Sequence, residues 1–259
     1  MKYFNLSIFV KKYASMDIAI IGYGKMGKAI EELAVRRGHT ILCRISSENL
    51  QEFHPKVLQW ADVAIEFSTP DSAFGNIEAC LDAGVPVVCG TTGWISRIAD
   101  VENLVHQKNG AFLYASNFSI GVNLFFDLNR KLARMMRGYD MYDVAITETH
   151  HTQKLDKPSG TSITLANDIV SELHRKKKWT ISPNVEPNSD EIGITSIRQD
   201  PAPGMHEVRY VSEIDEIRLV HEAHSRKGFA SGALLAAEWI MGKKGVFSMQ
   251  DVLQIDSDS

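Results

Sequence analysis

Cysteine is scarce and unpatterned. Cys43, Cys80 and Cys89 are the three in 259 residues, each in an apolar run and none in a C-x-x-C spacing. That argues against a disulfide framework or a cysteine zinc site, and fits reduced, buried thiols in a cytoplasmic protein. Long apolar runs are missing as well: nothing approaches the ~20 residues that a membrane span needs. The opening MKYFNLSIFVKKYAS has some basic and apolar character, but no long apolar core and no A-x-A cleavage site. Residues 1–15 therefore read as an extension before the fold, with Met16 a second candidate start. Neither sign of charge dominates. A formal net charge of -4 gives no reason to expect nucleic acid as a partner.

What is present can supply a substantial core, with 44% hydrophobic residues in a chain long enough for one large domain or two moderate ones. From Asp17 the pattern is regular. DIAII predicts a strand, GYGKMG a turn and KAIEELAVRRG a helix closed by Gly38. Gly22, Gly24 and Gly27, with Lys25 and Met26 between the last two, thus form G-x-G-x-x-G in the strand-turn-helix setting of a dinucleotide site. The first glycine permits the tight turn, the second lets pyrophosphate approach the backbone, and the third lets helix pack on strand. A second strand, Thr40 to Ile45, ends at Ser46 and Ser47, where an acidic residue commonly binds the ribose of NAD. Serines tolerate a 2′-phosphate better than a carboxylate does, which points to NADPH or to use of both cofactors. Further strands at Val63 to Phe67, Val85 to Cys89 and Ala111 to Tyr114 alternate with helices from Pro70 and over Arg97 to Lys108, a doubly wound parallel sheet. Gly90, Thr91 and Thr92 follow one of these strands, at the carboxyl edge where ligands of such sheets bind.

The second half reads differently. A helix over Leu124 to Met136 leads to a strand over Tyr142 to Thr149, and a helix over Thr161 to Arg175 ends in a basic run, Arg175 to Lys178, that reads as a solvated helix end. Segments Ile192 to Ile197, His206 to Val211 and Glu216 to Ala223 predict strands with no helices between them, hence a mixed or antiparallel sheet and a second domain. Thr147 to Thr164 concentrates the titratable groups: Glu148, His150, His151, Lys154, Asp156 and Lys157 precede Pro158-Ser159-Gly160-Thr161. Free N–H groups and the helix dipole make Ser159, Gly160 and Thr161 an anion site, although an ordinary capped helix start reads the same. His150 and His151 serve one site if the strand ends there, and Lys154 offers charge to a carboxylate.

Residues 148–161, ETHHTQKLDKPSGT, resemble the signature E-x-H-H-x-x-K-x-D-x-P-S-G-T of bacterial dihydrodipicolinate reductases (4-hydroxy-tetrahydrodipicolinate reductases), a family of lysine and diaminopimelate synthesis. Further likenesses run in order from about Met16 to Leu253. The loop at Gly90 to Gly93 matches the family's cofactor loop. ASNFSIGVN resembles the run that closes over the nicotinamide, which carries Ala115, Ser116, Asn117 and Phe118 over as cofactor residues. Ser225-Arg226 to Ala233 resembles S-R-x-x-F-A-x-G-A. The family's R-x-G-x-x-x-G-x-H is kept in part: Arg198, Gly204 and His206 are present, and the first glycine is not. The resemblance implies a Rossmann-like domain over residues 16–118 plus 226–259, and a substrate-binding and oligomerisation domain over 119–225, built as a homotetramer. It implies reduction of a cyclic dicarboxylate imine by NADPH or NADH, with His150 the proton donor/acceptor and Lys154 the proton donor. His151, Ser159, Gly160 and Thr161 would hold the carboxylates. Alternatives are a Rossmann amino-acid dehydrogenase, against which the PSGT site argues, and a non-catalytic nucleotide sensor, in which His150 and Lys154 would be dispensable. A metal hydrolase using His150, His151 and Asp156 is disfavoured, since adjacent histidines on a strand point apart.

Overall fold

The computed structural model describes residues 14–182, 187–225 and 227–255, without the side chain of residue 52. The chain divides into two compact units, Ser119–Gly228 and the remainder on either side of it.

In the first unit β1 (Asp17–Ile21), α1 (Lys25–Arg36), β2 (Thr40–Ile45), α2 (Pro55–Leu58), β3 (Val63–Glu66), α3 (Pro70–Asp82), β4 (Val87–Cys89), α4 (Ile98–Lys108) and β5 (Ala111–Tyr114) follow one another. Alternate residues of each strand feed opposite faces, so both sides of the sheet are buried. Ile18, Ile20, Val63, Ile65, Val88 and Leu113 pack with Ile30 and Ala34 of α1. Ala19, Ile21, Ala64, Val87, Cys89 and Phe112 pack with α3 and α4 through Ile77, Cys80, Val101 and Val105. Burial raises the thiols of Cys80 and Cys89 and keeps them protonated.

The second unit holds α5 (Ile120–Met135), β6 (Asp143–His150), α6 (Gly160–Glu172), β7 (Lys178–Ser182), β8 (Glu191–Arg198), β9 (Met205–Val211) and β10 (Glu216–Glu222). Its five strands run in the order β10-β9-β6-β8-β7, antiparallel across β10-β9-β6 and parallel across β6-β8-β7. Val144, Ile146, Ile192, Ile194, Val208 and Tyr210 face α5 and α6 and form its core with Phe125, Leu165 and Ile169. The helices are tied by Asn129 Nδ2 donating to the Leu165 carbonyl at 3.1 Å and by Arg130 to Asp168 at 3.3 Å.

The chain then returns to the first unit with α7 (Lys227–Ile240), β11 (Gly245–Phe247) and α8 (Met249–Leu253). β11 adds parallel to β5, giving a six-stranded sheet in the order β11-β5-β4-β3-β1-β2. Small residues bring α7 close. A Cβ at Gly232 would lie 1.7 Å from the Phe118 carbonyl oxygen, and Ala230, Ala233, Ala236 and Ala237 are fully buried. Glu238 of α7 accepts from Arg37 Nη1 at 3.0 Å and lies 3.1 Å from His39 Nε2, a buried tether to the end of α1.

Several predicted boundaries shift and one reading is overturned. α1 begins inside the glycine turn at Lys25, and α5 begins at Ile120 because Ser119 caps it, accepting from the Val122 N–H at 3.4 Å. The basic run is no solvated helix end. α6 stops at Glu172, Lys178 opens β7, and Lys176 is 2% exposed. Lys176 Nζ donates to the Ser189 and Glu191 carbonyls at 2.8 Å and pairs with Asp143 at 2.6 Å. Of the extension, residues 1–13 lie outside the described residues, as does Arg226.

Candidate functional site

In the first unit the sheet order reverses at β1, between β2 and β3, which places a ligand crevice beyond the carboxyl end of β1. A cavity of about 780 Å³ opens there, lined by Gly22, Tyr23, Gly24, Lys28, Ser46 and Ser68 among others. The three glycines differ in what they do. Gly22 has φ +91°, and a Cβ there would sit 2.0 Å from the Phe67 carbonyl oxygen. A Cβ at Gly27 would come within 2.6 Å of the Gly22 oxygen, so the helix lies directly on the turn. A Cβ at Gly24 would meet nothing within 4 Å: here the absent side chain leaves open space at a helix end. The first turn of α1 has no side-chain cap and no acid, so its leading N–H groups face that space. Residues and cavity fit a dinucleotide pyrophosphate.

Of the predicted cofactor residues, Gly22, Gly24 and Ser46 line this crevice, and the others lie at different depths in the unit. Lys25 is exposed, Met26 packs on the core and Ser46 lies on the cavity wall, its N–H and hydroxyl bound to Asn49 Oδ1 at 2.7 and 3.0 Å. Gly90 abuts Phe67, whose ring a Cβ would penetrate, while Thr91 is buried and accepts from the Ser68 N–H at 2.8 Å. Thr92 and Ser116 are exposed, Asn117 is half-buried, and Ala115 and Phe118 belong to the core, with the Phe118 ring 5.6 Å from that of Phe67. The β3 end went unread in the sequence. Buried Glu66 accepts from the N–H and hydroxyl of Ser68, from Asn76 Nδ2 at 3.3 Å and from the Cys89 thiol at 3.1 Å, and so shapes the turn along the cavity.

In the second unit β6 continues its inward alternation, Val144 and Ile146, with Glu148 and His150, so polar side chains take over the covered face at the strand's end. Cross-strand register sets Ser196 of β8 and His206 of β9 beside Glu148, and His221 of β10 beside His206. Glu148 is fully buried. Its Oε2 accepts from the Ser159 N–H at 3.0 Å and the Ser162 hydroxyl at 2.7 Å, and its Oε1 from Arg198 Nη2 at 3.2 Å. Burial pushes this carboxyl up, but the hydroxyls of Ser159, Ser162 and Ser196 and the Ser159 N–H outweigh it and hold it down at about 2. His150 Nδ1 lies 3.8 Å from Glu148 Oε2, and the His150 and His206 rings stand edge to face at 5.0 Å. Burial lowers the proton affinity of His150, helped by Lys154 and Arg198 and opposed by Glu148 and Asp156. Burial and the neighbouring His150 bring His206 down to about 3, so it stays neutral.

β6 ends at His150, as a shared site requires, and the His151 N–H turns to the Ala202 carbonyl at 2.9 Å. Lys154 pairs with Asp156 at 2.8 Å. Arg198 pins this loop, donating to the carbonyls of Lys154 at 3.2 Å and Asp156 at 2.6 Å. At the start of α6, Ser159 is spent inside the protein: its N–H serves Glu148, and its hydroxyl accepts from the Ser162 N–H and lies 3.1 Å from His206 Nε2. Gly160 is exposed, a Cβ there would meet nothing within 4 Å, and the first turn carries no acid. The cap thus leaves over the first-turn N–H groups of Gly160 and Thr161. Glu148, Arg198 and His206 join the candidate site in the fold, though the sequence signals for them were only E-x-H-H and the partial R…G-x-H pattern. The metal-capable side chains that the fold gathers are Glu148, His150 and His206. Both Glu148 oxygens already accept hydrogen bonds, one of them from the Arg198 guanidinium, so the charge of this carboxylate is met within the protein.

Residues 16–118 match the family described as "Dihydrodipicolinate reductase, N-terminus", and residues 121–253 that described as "Dihydrodipicolinate reductase, C-terminus". A 4-hydroxy-tetrahydrodipicolinate reductase of Christiangramia forsetii is 47% identical over 242 residues, covering 92% of this chain and 98% of that protein. One from Methanopyrus kandleri is 38% identical over 203 residues, covering 77% and 74%. Among solved structures, a dipicolinate-bound dihydrodipicolinate reductase from Paenisporosarcina sp. TG-14 gives a TM-score of 0.72 at 24% identity, covering 92% of this chain and 99% of that one. The apo scyllo-inositol dehydrogenase of Lactobacillus casei gives 0.56 at 15%, covering 93% of each, a likeness of fold alone. With both halves matched in order and nearly the full length of a relative aligned, the chain belongs to the dihydrodipicolinate reductase family.

Proposed function

We propose that this chain is a 4-hydroxy-tetrahydrodipicolinate reductase of lysine and diaminopimelate synthesis, its first unit holding NADPH or NADH and its second the dicarboxylate. The observation that carries the reading is the second-unit site. A buried imidazole, His150, ends a strand next to Lys154 and next to a helix start whose Ser159 cap takes the Ser162 N–H and leaves over those of Gly160 and Thr161. A dianion is matched to that end electrostatically, because the helix dipole and Lys154 both favour negative charge. His151, Ser159, Gly160 and Thr161 hold the carboxylates, the Ser159 N–H tying that helix end to Glu148. A reduced nicotinamide held by the Gly22 to Gly27 turn would supply the hydride. His150 and Lys154 then serve as the acids from which the electron-rich ring takes up its proton.

Use of NADPH, with NADH as a second cofactor, is supported by Ser46 and Ser47 at the end of β2 and by Lys28 on the same cavity wall. Assembly as a homotetramer through the second unit, in the cytoplasm, rests on the family resemblance. Within the second unit, α5 and α6 both pack on one face of the sheet. The test is oxidation of NADPH and of NADH, followed by absorbance, with freshly generated aldol product of pyruvate and aspartate semialdehyde. Substrate-dependent loss of reduced cofactor is expected, fastest with NADPH. No oxidation of either cofactor overturns the assignment.

A further inference from the structure

We infer that Glu148 is a positioning residue for proton transfer: facing Nδ1 of His150, it fixes the imidazole with Nδ1 protonated and Nε2 turned to the substrate, and through Ser159 it ties that ring to the carboxylate-binding helix end. The inference rests on the proposed role of His150 and adds the group that sets it. Four observations carry it. Nδ1 of His150 is buried and has no hydrogen-bond partner, a costly state unless a charge close by compensates. Among the described residues the carboxylate within 4 Å of the ring is that of Glu148, at 3.8 Å and on the same strand face two residues earlier. The opposite edge of the ring lies against Gly204. Gly204, at φ +155°, passes so close that a Cβ would lie 3.1 Å from Nε2, so a glycine is what leaves that nitrogen room. Finally, Glu148 is itself immobilised from three elements, by Ser159 and Ser162 of the α6 start, Arg198 of β8 and the adjoining His206 of β9. One carboxylate thereby sets the distance between the proton donor and the carboxylate-binding N–H groups.

The charged and titratable groups facing His150 are Glu148 on its own strand, Lys154 and Asp156 in the following loop, Arg198 on β8 and His206 on β9. His206 shares its Nε2 with the Ser159 hydroxyl and does not compete for the proton in the neutral range. Glu148 and Arg198 therefore pull the affinity of His150 in opposite directions, which provides a test that general damage to the site cannot mimic.

The test is NMR titration of the histidine ring carbons in the intact enzyme, with His150→Asn used to assign the resonance, for wild type, Glu148→Gln and Arg198→Gln. Glu148→Gln keeps the size of the side chain and removes its charge. It should lower the His150 pKa by about one unit or more, as expected for loss of an opposite charge within ~4 Å. Arg198→Gln should raise it. The basic limb of the kcat/KM–pH profile should move the same way in each, with cofactor affinity unchanged. A merely structural Glu148 predicts reduced thermal stability and rate with the titration unmoved, and that result overturns the inference. Should Glu148→Gln not fold, Arg198→Gln decides: an upward shift supports the inference, and none, or a downward one, overturns it. Full turnover by His150→Asn would instead overturn the functional reading, whatever the titration shows.

Discussion

At the scale of single residues, the alternation that buries Val144 and Ile146 also carries Glu148 and His150 inward, so the site lies on the covered face of the second sheet. His150→Ala and Lys154→Ala should each lower turnover by about 10² to 10⁴, the usual contribution of a positioned acid. Cofactor fluorescence titration should show NADPH binding preserved in both, since neither residue belongs to the first unit. The buried pair Glu148 and His206 also fixes the sign of the acid response. Glu148 has a folded pKa lowered to about 2, so the stability it contributes is complete above the ordinary carboxylate range and is lost as pH falls toward that value. His206 stays neutral in the fold down to about 3, whereas an unfolded histidine takes a proton near 6.5, so its share fades between those pH values. The urea midpoint should therefore fall on acidification from pH 7 to 4, chiefly through His206, and His206→Gln should flatten that fall. An equal slope in the variant would contradict the assignment.

At the scale of elements, the glycine turn separates two functions that one motif merges. Gly22→Ala puts a Cβ into the Phe67 carbonyl at a backbone angle that L-residues avoid. It should cost at least about 2 kcal/mol of unfolding free energy, measured by denaturant titration. Gly24→Ala adds a methyl to open space. Its unfolding midpoint should stay near that of wild type while the Kd for NADPH rises about tenfold or more, a loss of roughly 1.4 kcal/mol. Equal effects of the two substitutions on stability would show that Gly24 is a folding residue. α6 shows the limit of local reading. PSGT announced a helix start with free donors, yet Ser159 faces Glu148, eleven residues back, and His206, forty-seven residues on.

At the scale of the whole molecule, one chain builds a parallel sheet buried on both faces and a mixed sheet covered on one, then returns to the first through α7 and β11. A tetramer assembled through the second unit should elute with light scattering at four times the mass of one chain. A charge placed at Thr147, on the sheet face away from the helices, should lower that mass. A monomer in the wild type would remove the expectation.

The strand-turn-helix around Gly22, the alternation of helices and strands up to Tyr114, the change to helix-free strands after Ile192 and the chemistry crowded between Glu148 and Thr161 were determined by the sequence alone. Each depends on backbone preference or side-chain period over a few neighbours, and a family signature is of the same local kind. What tertiary structure decided lies between residues far apart in the chain. Lys176 looks like one of four solvated cations until the carbonyls of Ser189 and Glu191 close around it. The Ser159 N–H looks like an unpaired helix-end donor until Glu148 accepts from it. Arg198 and His206 enter the site because β8 and β9 pair on either side of β6 in one register, and a one-residue slip would turn both away. Burial and partnership are properties of that register, and they decide which of the chain's many polar groups can hold a proton where the reaction needs it.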